Sequence, residues 1–173
     1  MAYAPGLDAV DLRNRLAQHQ PVSLEEVERA RVQATGTRLK REVGFSKRVL
    51  DSYGHRCAVC GVQLSVLEGA HIIPVHDPLG KDELWNGLSL CRNHHTLFDR
   101  RIILIEENTF VRANEQTLDV LRGLNRFDGF QELIGAYRDN ALRHLPSQYH
   151  ADNAFRAQMS IALAHTFSQS PAQ

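Results

Sequence analysis

The chain has 173 residues and a formal net charge of zero at pH 7, with 20 Lys and Arg residues against 20 Asp and Glu residues. This length is sufficient for one domain with a buried core. No apolar run approaches the ~18 residues of a membrane-spanning helix, and no basic stretch followed by an apolar one opens the sequence as a secretory signal would. These features predict a cytoplasmic protein that does not enter a membrane.

The zero net charge conceals a segregation of charges along the chain. Between Arg29 and Arg56 there are eight basic and two acidic residues, which leaves twelve basic and eighteen acidic residues elsewhere. Such a local excess of positive charge can face the phosphates of a nucleic acid. It can also be no more than the solvated face of a helix, which charge runs by themselves favour.

The first third of the chain predicts three helices. Residues 8–20 form a weakly amphipathic pattern that stops before Pro21. Residues 23–26 read Ser-Leu-Glu-Glu, a capping box, so a second helix is expected from Leu24 to about Ala34. Residues 45–53 place four large apolar side chains on one side of a short third helix.

The middle of the chain predicts the order strand, loop, strand, helix. Residues 67–73 are a strand candidate, and residues 76–85 are polar with a proline and a glycine, which favours a loop. Residues 88–90 predict a short strand, and residues 92–99 predict a helix.

The last third is less regular. Residues 101–105 and 109–111 predict a hairpin that turns at Glu107-Asn108. Residues 128–145 and 153–167 predict mostly helical structure, and residues 168–173 a frayed end. The absence of an internal repeat or a low-complexity linker predicts one compact unit.

Three cysteines and one histidine form two pairs with the same spacing. Cys57 and Cys60 are separated by two residues, as are Cys91 and His94. This spacing lets each pair bind one tetrahedral Zn²⁺, and in a reducing cytoplasm it favours metal ligation over disulfides. The alternative, small core residues that share the spacing by chance, explains two matching pairs poorly. Four protein ligands close the coordination shell, so this zinc is predicted to be structural.

A second polar set is interleaved with the zinc ligands. His71, Asn86 and His95 follow one another in chain order, and Asp99 lies one helical turn after His95. Taken singly, each has a plain explanation: a structural histidine on a strand, a hairpin Asn-Gly turn, a surface histidine, and an acid paired with a neighbouring arginine. Their joint placement inside a zinc frame favours a catalytic site.

The motifs C-A-x-C-G, A-H-I-x-P, N-G-L-x-L-C-x-x-H-H and F-D resemble those of the HNH endonucleases, in the branch often found in bacterial restriction-type proteins. The resemblance extends from about Arg38 to Ile105. The residues that carry it are Phe45, Leu50, Tyr53, Arg56, Cys57, His71, Pro74, Asn86, Cys91, His94, His95, Phe98 and Asp99.

The resemblance implies a role for each residue of the second set. Phosphodiester hydrolysis needs a base to deprotonate water and a cation to neutralise the phosphate and the leaving 3′-oxygen. By the resemblance, His71 is the base, and His95 with Asp99 holds one divalent cation, Mg²⁺ or a similar ion. Asn86 ties the arms of the loop together and orients His71 without touching the substrate.

One residue departs from the family pattern. Many members carry an Asp or His ligand of the catalytic metal directly before the base, where this chain has Ala70. Three alternatives follow: His95 and Asp99 suffice with water and phosphate, another acid such as Asp77 or Asp82 enters the site, or the centre is inactive. The related A-H-I-x-P branch also has Ala at this position, which favours activity.

The resulting expectation is an α+β protein with a zinc-stabilised ββα-metal core, flanking helices and a small hairpin. It has an N-terminal helical and basic segment (1–44), an HNH nuclease core (45–106) and a mostly helical C-terminal extension (107–173). The expected partner is DNA, with the protein at the nucleoid when bound. One centre would nick one strand, and cleavage of both strands would require a homodimer, two nicks or sequential turnover. The candidate DNA-binding residues are Arg38, Lys40, Arg41, Lys47, Arg48, Arg92, Arg100 and Arg101.

Two other functions compete with a DNA endonuclease. A zinc-dependent DNA-binding module without catalysis would retain DNA and never break it. An RNA-directed or toxin-like nuclease would prefer RNA, but nothing in the sequence supports it specifically.

Overall fold

A computed structural model describes residues 14, 15, 17, 18 and 44–168. The chain divides into two compact units, Met1–Gly44 and Phe45–Gln173. In the first unit, residues 14, 15 and 17 are helical, as predicted for the segment 8–20. The predicted helix from Leu24 to Ala34 and the predicted frayed end lie outside the described residues, apart from position 168, which is helical.

The second unit opens with a helix and a two-stranded antiparallel sheet. Helix α1 covers residues 44–52, all but the first of which belong to this unit. Strand β1 is Leu67–His71, and strand β2 is Gly87–Cys91. The register pairs Leu67 with Cys91 and His71 with Gly87. A 3-10 turn, Leu84–Asn86, precedes β2, and helix α2, Arg92–Asp99, follows it directly. The predicted order strand, loop, strand, helix is confirmed, with β1 ending two residues earlier than expected.

Helix α1 packs against the start of β2 because residue 87 has no side chain. A Cβ on Gly87 would collide with the side chain of Val49 and lie 3.2 Å from the ring of Phe45. The Tyr53 hydroxyl donates a hydrogen bond to the Gly87 carbonyl at 3.1 Å. Phe45 and Val49 are almost completely buried at this contact. The glycine therefore allows a close approach of helix and strand.

A hairpin follows α2, as predicted, although its strands begin later. Strand β3 is Ile103–Ile105 and strand β4 is Val111–Ala113, and Ile103 pairs with Ala113. Arg101 has a φ of 52°, outside the β region, so β3 cannot begin at the predicted residue 101.

Three helices and one π-helical turn complete the unit. Helix α3 is Glu115–Gly123, and the Asn114 side chain caps its start by accepting from Thr117 N–H. The π-helical turn is Gln131–Gly135. Helix α4 is Gln148–Ala151 and helix α5 is Asn153–Ser168. Helix α5 packs on the 3-10 turn and on β3.

The prediction of mostly helical structure over residues 128–145 is wrong. After the π-helical turn the chain continues in turns, and Ala141 forms an isolated antiparallel bridge with Phe110. Asp139 has a φ of 61°, which ends the helical geometry. Val111 N–H donates to the Asn140 carbonyl at 2.9 Å, so the hairpin edge binds this segment as an extra strand would.

The predicted α+β fold is confirmed: short antiparallel strands combine with helices around one core. All five residues of β2 are buried, whereas β1 is mostly half-buried. Within the described ranges, no helix has the length and apolar character needed to cross a bilayer.

We expect Gly87→Ala to destabilise the second unit by about 1–3 kcal/mol, because the new methyl group overpacks the contact with Val49 and Phe45. Urea unfolding of the zinc-loaded protein measures the change. Gly123→Ala is the matched control, since a Cβ at the end of α3 has no neighbour within 4 Å. Equal unfolding midpoints for the two variants would contradict the close-approach explanation.

Candidate active site

The three cysteines and His94 converge on one point. Their ligand atoms all lie within 4.8 Å of one another. Cys60 Sγ is 3.9 Å from Cys91 Sγ, and His94 Nδ1 is 3.1 Å from Cys91 Sγ and 3.7 Å from Cys57 Sγ. With Zn–S bonds of about 2.3 Å and Zn–N bonds of about 2.0 Å, these separations suit a tetrahedral shell. The cluster can hold a zinc ion.

Local backbone structure explains why the ligands converge. Cys57 and Cys60 lie on a tight turn in which Gly61 N–H donates to the Cys57 carbonyl at 2.9 Å. Gly61 has a φ of 77°, a conformation that favours glycine. Cys91 is the last residue of β2 and His94 lies in the first turn of α2, so the strand-to-helix junction brings the second pair together.

The thiols interact strongly with one another and with His94. Burial raises the pKa of the Cys57 thiol, but the hydrogen bonds from His94 and from backbone N–H groups outweigh it and lower the pKa to about 6. Burial, followed by the charge of Cys57, raises the pKa of Cys60 to about 12. Burial also raises the pKa of Cys91. All three groups would therefore ionise together only beside a cation, which is the role that a zinc ion would fill.

The C-terminal part of the chain contacts this cluster. His94 Nε2 lies 3.1 Å from the Leu133 carbonyl in the π-helical turn, and the Tyr137 ring meets the His94 ring edge to face at 5.3 Å. A carbonyl oxygen can only accept a hydrogen bond, so Nε2 carries the proton and Nδ1 is left to bind metal. Sequence patterns did not reveal this contact, which joins residues far apart in the chain.

Asn86 links the two arms of the loop between β1 and β2. Its Oδ1 accepts from Ile73 N–H at 2.7 Å, and its Nδ2 donates to the carbonyls of Ile73 and Lys81, each at 2.9 Å. The side chain is completely buried. Because these backbone groups lie at both ends of the loop, Asn86 holds the loop closed and cannot reach a substrate in solvent.

His71, at the end of β1, has a restrained ring. Its Nε2 lies 2.9 Å from Asp82 Oδ1, and its ring stacks on the buried Phe45 ring, with 3.8 Å between centroids and 7° between planes. The sequence named Asp82 only as one acid that could enter the site. The structure brings it to His71, at the far end of the same loop.

His95 lies between two carboxylates. Its Nδ1 is 2.8 Å from Glu68 Oε2, and its Nε2 is 3.4 Å from Asp99 Oδ2. The hydrogen bond with His95 lowers the pKa of the Glu68 carboxyl. Sequence reasoning missed Glu68. A usable signal was present, since Glu68 and Ala70 are two residues apart and therefore face the same side of β1.

The second set does not form a complete metal shell. Among the described residues, one group of three or more His, Cys, Asp or Glu side chains could hold an ion, and it is the cluster of the three cysteines and His94. His95 and Asp99 offer one imidazole and one carboxylate. Two protein ligands fit a cation such as Mg²⁺, which usually keeps several waters and binds substrate phosphates.

A small cavity of about 90 Å³ connects His71 with Asp99. His71, Asp99 and Arg101 line it, together with Thr166 and Phe167 from the end of α5. It is large enough to admit water. His165, directly before Thr166 in α5, has its Nε2 3.2 Å from Asp77 Oδ2.

The candidate DNA-binding residues occupy different surroundings. Arg38, Lys40 and Arg41 lie outside the described residues. Lys47 and Arg100 are exposed.

Two further arginines of this group contact the site itself. Arg48 donates to the Asp82 carbonyl at 2.8 Å, and Arg92 Nε lies 3.1 Å from Glu68 Oε1. These arginines therefore also support the loop and the acid beside His95.

Comparison with known proteins found one family model and a solved structure that are similar to parts of this chain. Residues 57–106 match the family model described as HNH endonuclease. A solved structure described as "Modification dependent TagI restriction endonuclease" is similar, with a TM-score of 0.50 and 24% identity. The match covers 75% of this chain and 38% of that one, so this chain spans well under half of that protein, and the likeness shows a shared fold. No curated protein matches the chain.

Adjacent histidines provide a matched test of the zinc cluster. We expect one zinc per chain by elemental analysis, lost in His94→Ala and retained in His95→Ala. Because structural zinc contributes about 10–16 kcal/mol in zinc-finger peptides, excess chelator should unfold the wild type and added zinc should restore it. Equal zinc content in the two variants would contradict the assignment.

Proposed function

We propose, from the match of residues 57–106 to the HNH endonuclease family model, that the chain is a metal-dependent DNA endonuclease that hydrolyses phosphodiester bonds. The observation that carries the proposal is the juxtaposition of His71, Asp99 and Arg101 around one small cavity, beside the cluster that can hold zinc. A base, a metal ligand and a cation for the phosphate are the groups this hydrolysis requires.

His71 is the proposed general base, which takes a proton from the attacking water. Its position at the end of β1 and its stacking on Phe45 hold the ring in one plane. Asn86 keeps the loop closed beneath it. A bound Mg²⁺ or similar cation would neutralise charge on the phosphate and on the leaving oxygen. His95 Nε2 and Asp99 are its proposed protein ligands.

Glu68 is proposed to compensate in part for Ala70. Ala70 is buried and offers no ligand atom. Glu68 accepts a hydrogen bond from Nδ1–H of His95, so the lone pair of Nε2 points toward Asp99. This arrangement, a carboxylate behind a metal-binding imidazole, orients the ring and increases its basicity.

Phosphate binding is assigned to basic side chains around the cavity. Arg101 lines it, and Arg100 and Lys47 are exposed. Arg48 and Arg92 are proposed to contact DNA from the positions they hold beside Asp82 and Glu68. Arg38, Lys40 and Arg41 are also proposed to bind phosphate, because they belong to the basic stretch of the sequence.

The biological setting is proposed from the same family. A role in restriction is supported by the name of the similar structure, a modification-dependent restriction endonuclease. One catalytic centre cuts one strand, so cleavage of both strands suggests a homodimer, the commonest symmetric oligomer. We propose that the protein acts in the bacterial cytoplasm at the nucleoid. A mass in solution that stays monomeric with DNA bound would contradict the dimer.

A second candidate function is a zinc-dependent DNA-binding module without catalysis. Ala70 favours it, because the site then has two protein ligands for the catalytic metal instead of three. This function predicts that DNA is retained without strand breaks at every metal concentration.

The nuclease is tested by conversion of supercoiled plasmid in Mg²⁺ or Mn²⁺. We expect nicked or linear products from the zinc-loaded wild type, none in EDTA, and a loss of about 10²-fold or more in rate for His71→Ala, the range for a general base. His150→Ala, on the exposed end of α4, is the matched control and should keep wild-type activity. Intact plasmid with bound protein in every metal would support the binding module instead.

The role of Glu68 is tested by metal affinity. Loss of a carboxylate behind a metal-binding histidine typically weakens binding about 10–100-fold, so Glu68→Gln should raise the Mn²⁺ dissociation constant by that factor in titrations followed by electron paramagnetic resonance. Glu107→Gln, an exposed glutamate in the hairpin turn, should leave it unchanged. Identical constants for both variants would remove Glu68 from the site.

A further inference from the structure

We propose that Asp82 is the positioning residue of the catalytic base. Its carboxylate holds the proton on Nε2 of His71, which leaves Nδ1 as the nitrogen that accepts the proton from water. The inference rests on the proposed nuclease function, because it concerns the residue proposed as base. It adds Asp82 as a residue that supports the proposed base, and it specifies which nitrogen of His71 takes the proton from water.

The Asp82 carboxylate is held in place by its backbone. Arg48 donates to the Asp82 carbonyl at 2.8 Å, and Asn86 donates to the carbonyl of the preceding residue, Lys81, at 2.9 Å. The Asp82 side chain is 23% exposed and that of His71 is 14% exposed. A mostly buried contact of 2.9 Å between an anchored acid and a restrained ring is a defined hydrogen bond.

Stacking on Phe45 limits His71 to two orientations. The rings are nearly parallel, 7° apart, so a ring flip of 180° preserves the stacking while exchanging the positions of Nδ1 and Nε2. Phe45 therefore sets the plane of the imidazole but does not distinguish its nitrogens. The hydrogen bond to Asp82 makes that distinction.

The chemistry of the contact determines the tautomer. An ionised carboxylate only accepts hydrogen bonds, so the nitrogen beside it must carry the proton. Nδ1 then has the lone pair, and within the described part of the chain it makes no hydrogen bond. His71 lines the cavity that Asp99 and Arg101 share, where a water can reach the ring. A carboxylate that orients an imidazole base in this way is known from hydrolytic triads.

In the proposed reaction, His71 accepts a proton from water while one bond between phosphorus and oxygen replaces another. A proton of the attacking water moves to Nδ1 of His71, and the water oxygen forms a bond to phosphorus. The bond between phosphorus and the leaving 3′-oxygen breaks, and that oxygen takes a proton from solvent. Asp82 stays ionised throughout and stabilises the positive charge that the ring acquires.

The test uses the full zinc-loaded chain labelled with ¹⁵N. Nitrogen shifts and ring couplings of His71 report which nitrogen is protonated, independently of cleavage. We expect the Nε2–H tautomer in the wild type. In Asp82→Asn the amide can donate as well as accept, so the share of Nδ1–H should rise. Glu83→Gln, the adjacent exposed acid, is the matched control and should keep the wild-type spectrum.

Plasmid cleavage provides the second readout. Asp82→Asn should lower kcat by about 10²-fold or more, with little change in KM for DNA, because the acid acts through His71. A wild-type ring protonated on Nδ1 would overturn the proposal, as would a variant with wild-type kcat. A lower kcat with an unchanged tautomer would also overturn it, since the loss would then be structural.

Strand cleavage and the tautomer of His71 are separate observables. If the wild type breaks no DNA in any metal, the proposed nuclease function fails, while the tautomer and its response to Asp82→Asn still show whether Asp82 orients the ring. If Asp82→Asn does not fold, the wild-type spectrum still decides, because an Nδ1–H tautomer is incompatible with the contact.

Discussion

Helix α2 carries two adjacent histidines that serve two different sites, and this constraint organises the molecule. Successive residues on an α-helix point about 100° apart. His94 turns toward the three cysteines, and His95 turns toward β1, where it meets Glu68. An ion bound by the cluster would prevent the helix from rotating, so its ligands would also determine where His95 points. The orientation of the proposed catalytic histidine therefore depends on the cluster formed by the cysteines and His94.

The loop between β1 and β2 is held from inside by one buried amide. Asn86 binds backbone groups at both ends of the loop, and helix α5 packs over the turn that contains it. Without those hydrogen bonds, buried N–H and C=O groups would be left unpaired at a cost of about 1–3 kcal/mol each. The same loop supplies Asp82 to His71. A residue that touches no substrate thus controls the surroundings of the proposed base.

The C-terminal part of the chain is structurally joined to both sites. Its π-helical turn presents the Leu133 carbonyl to His94, and the end of α5 lines the cavity beside His71. A His94 tautomer set by that carbonyl links zinc binding to the folding of residues far along the chain. The C-terminal part of the chain therefore contributes contacts to both sites, in addition to packing on the core.

The sequence by itself predicted the cluster of three cysteines and His94 that can hold an ion, the strand and helix order of the core and the α+β class. Pair spacing and short-range periodicity are local properties that survive without knowledge of the fold. Only the tertiary structure decided which acids face which histidines. Glu68 and His95, or Asp82 and His71, meet because strand pairing and loop closure bring them together, and local spacing cannot relate residues on different elements. The turns after residue 135 also escaped prediction, because an edge contact with β4 overrides local helical propensity there.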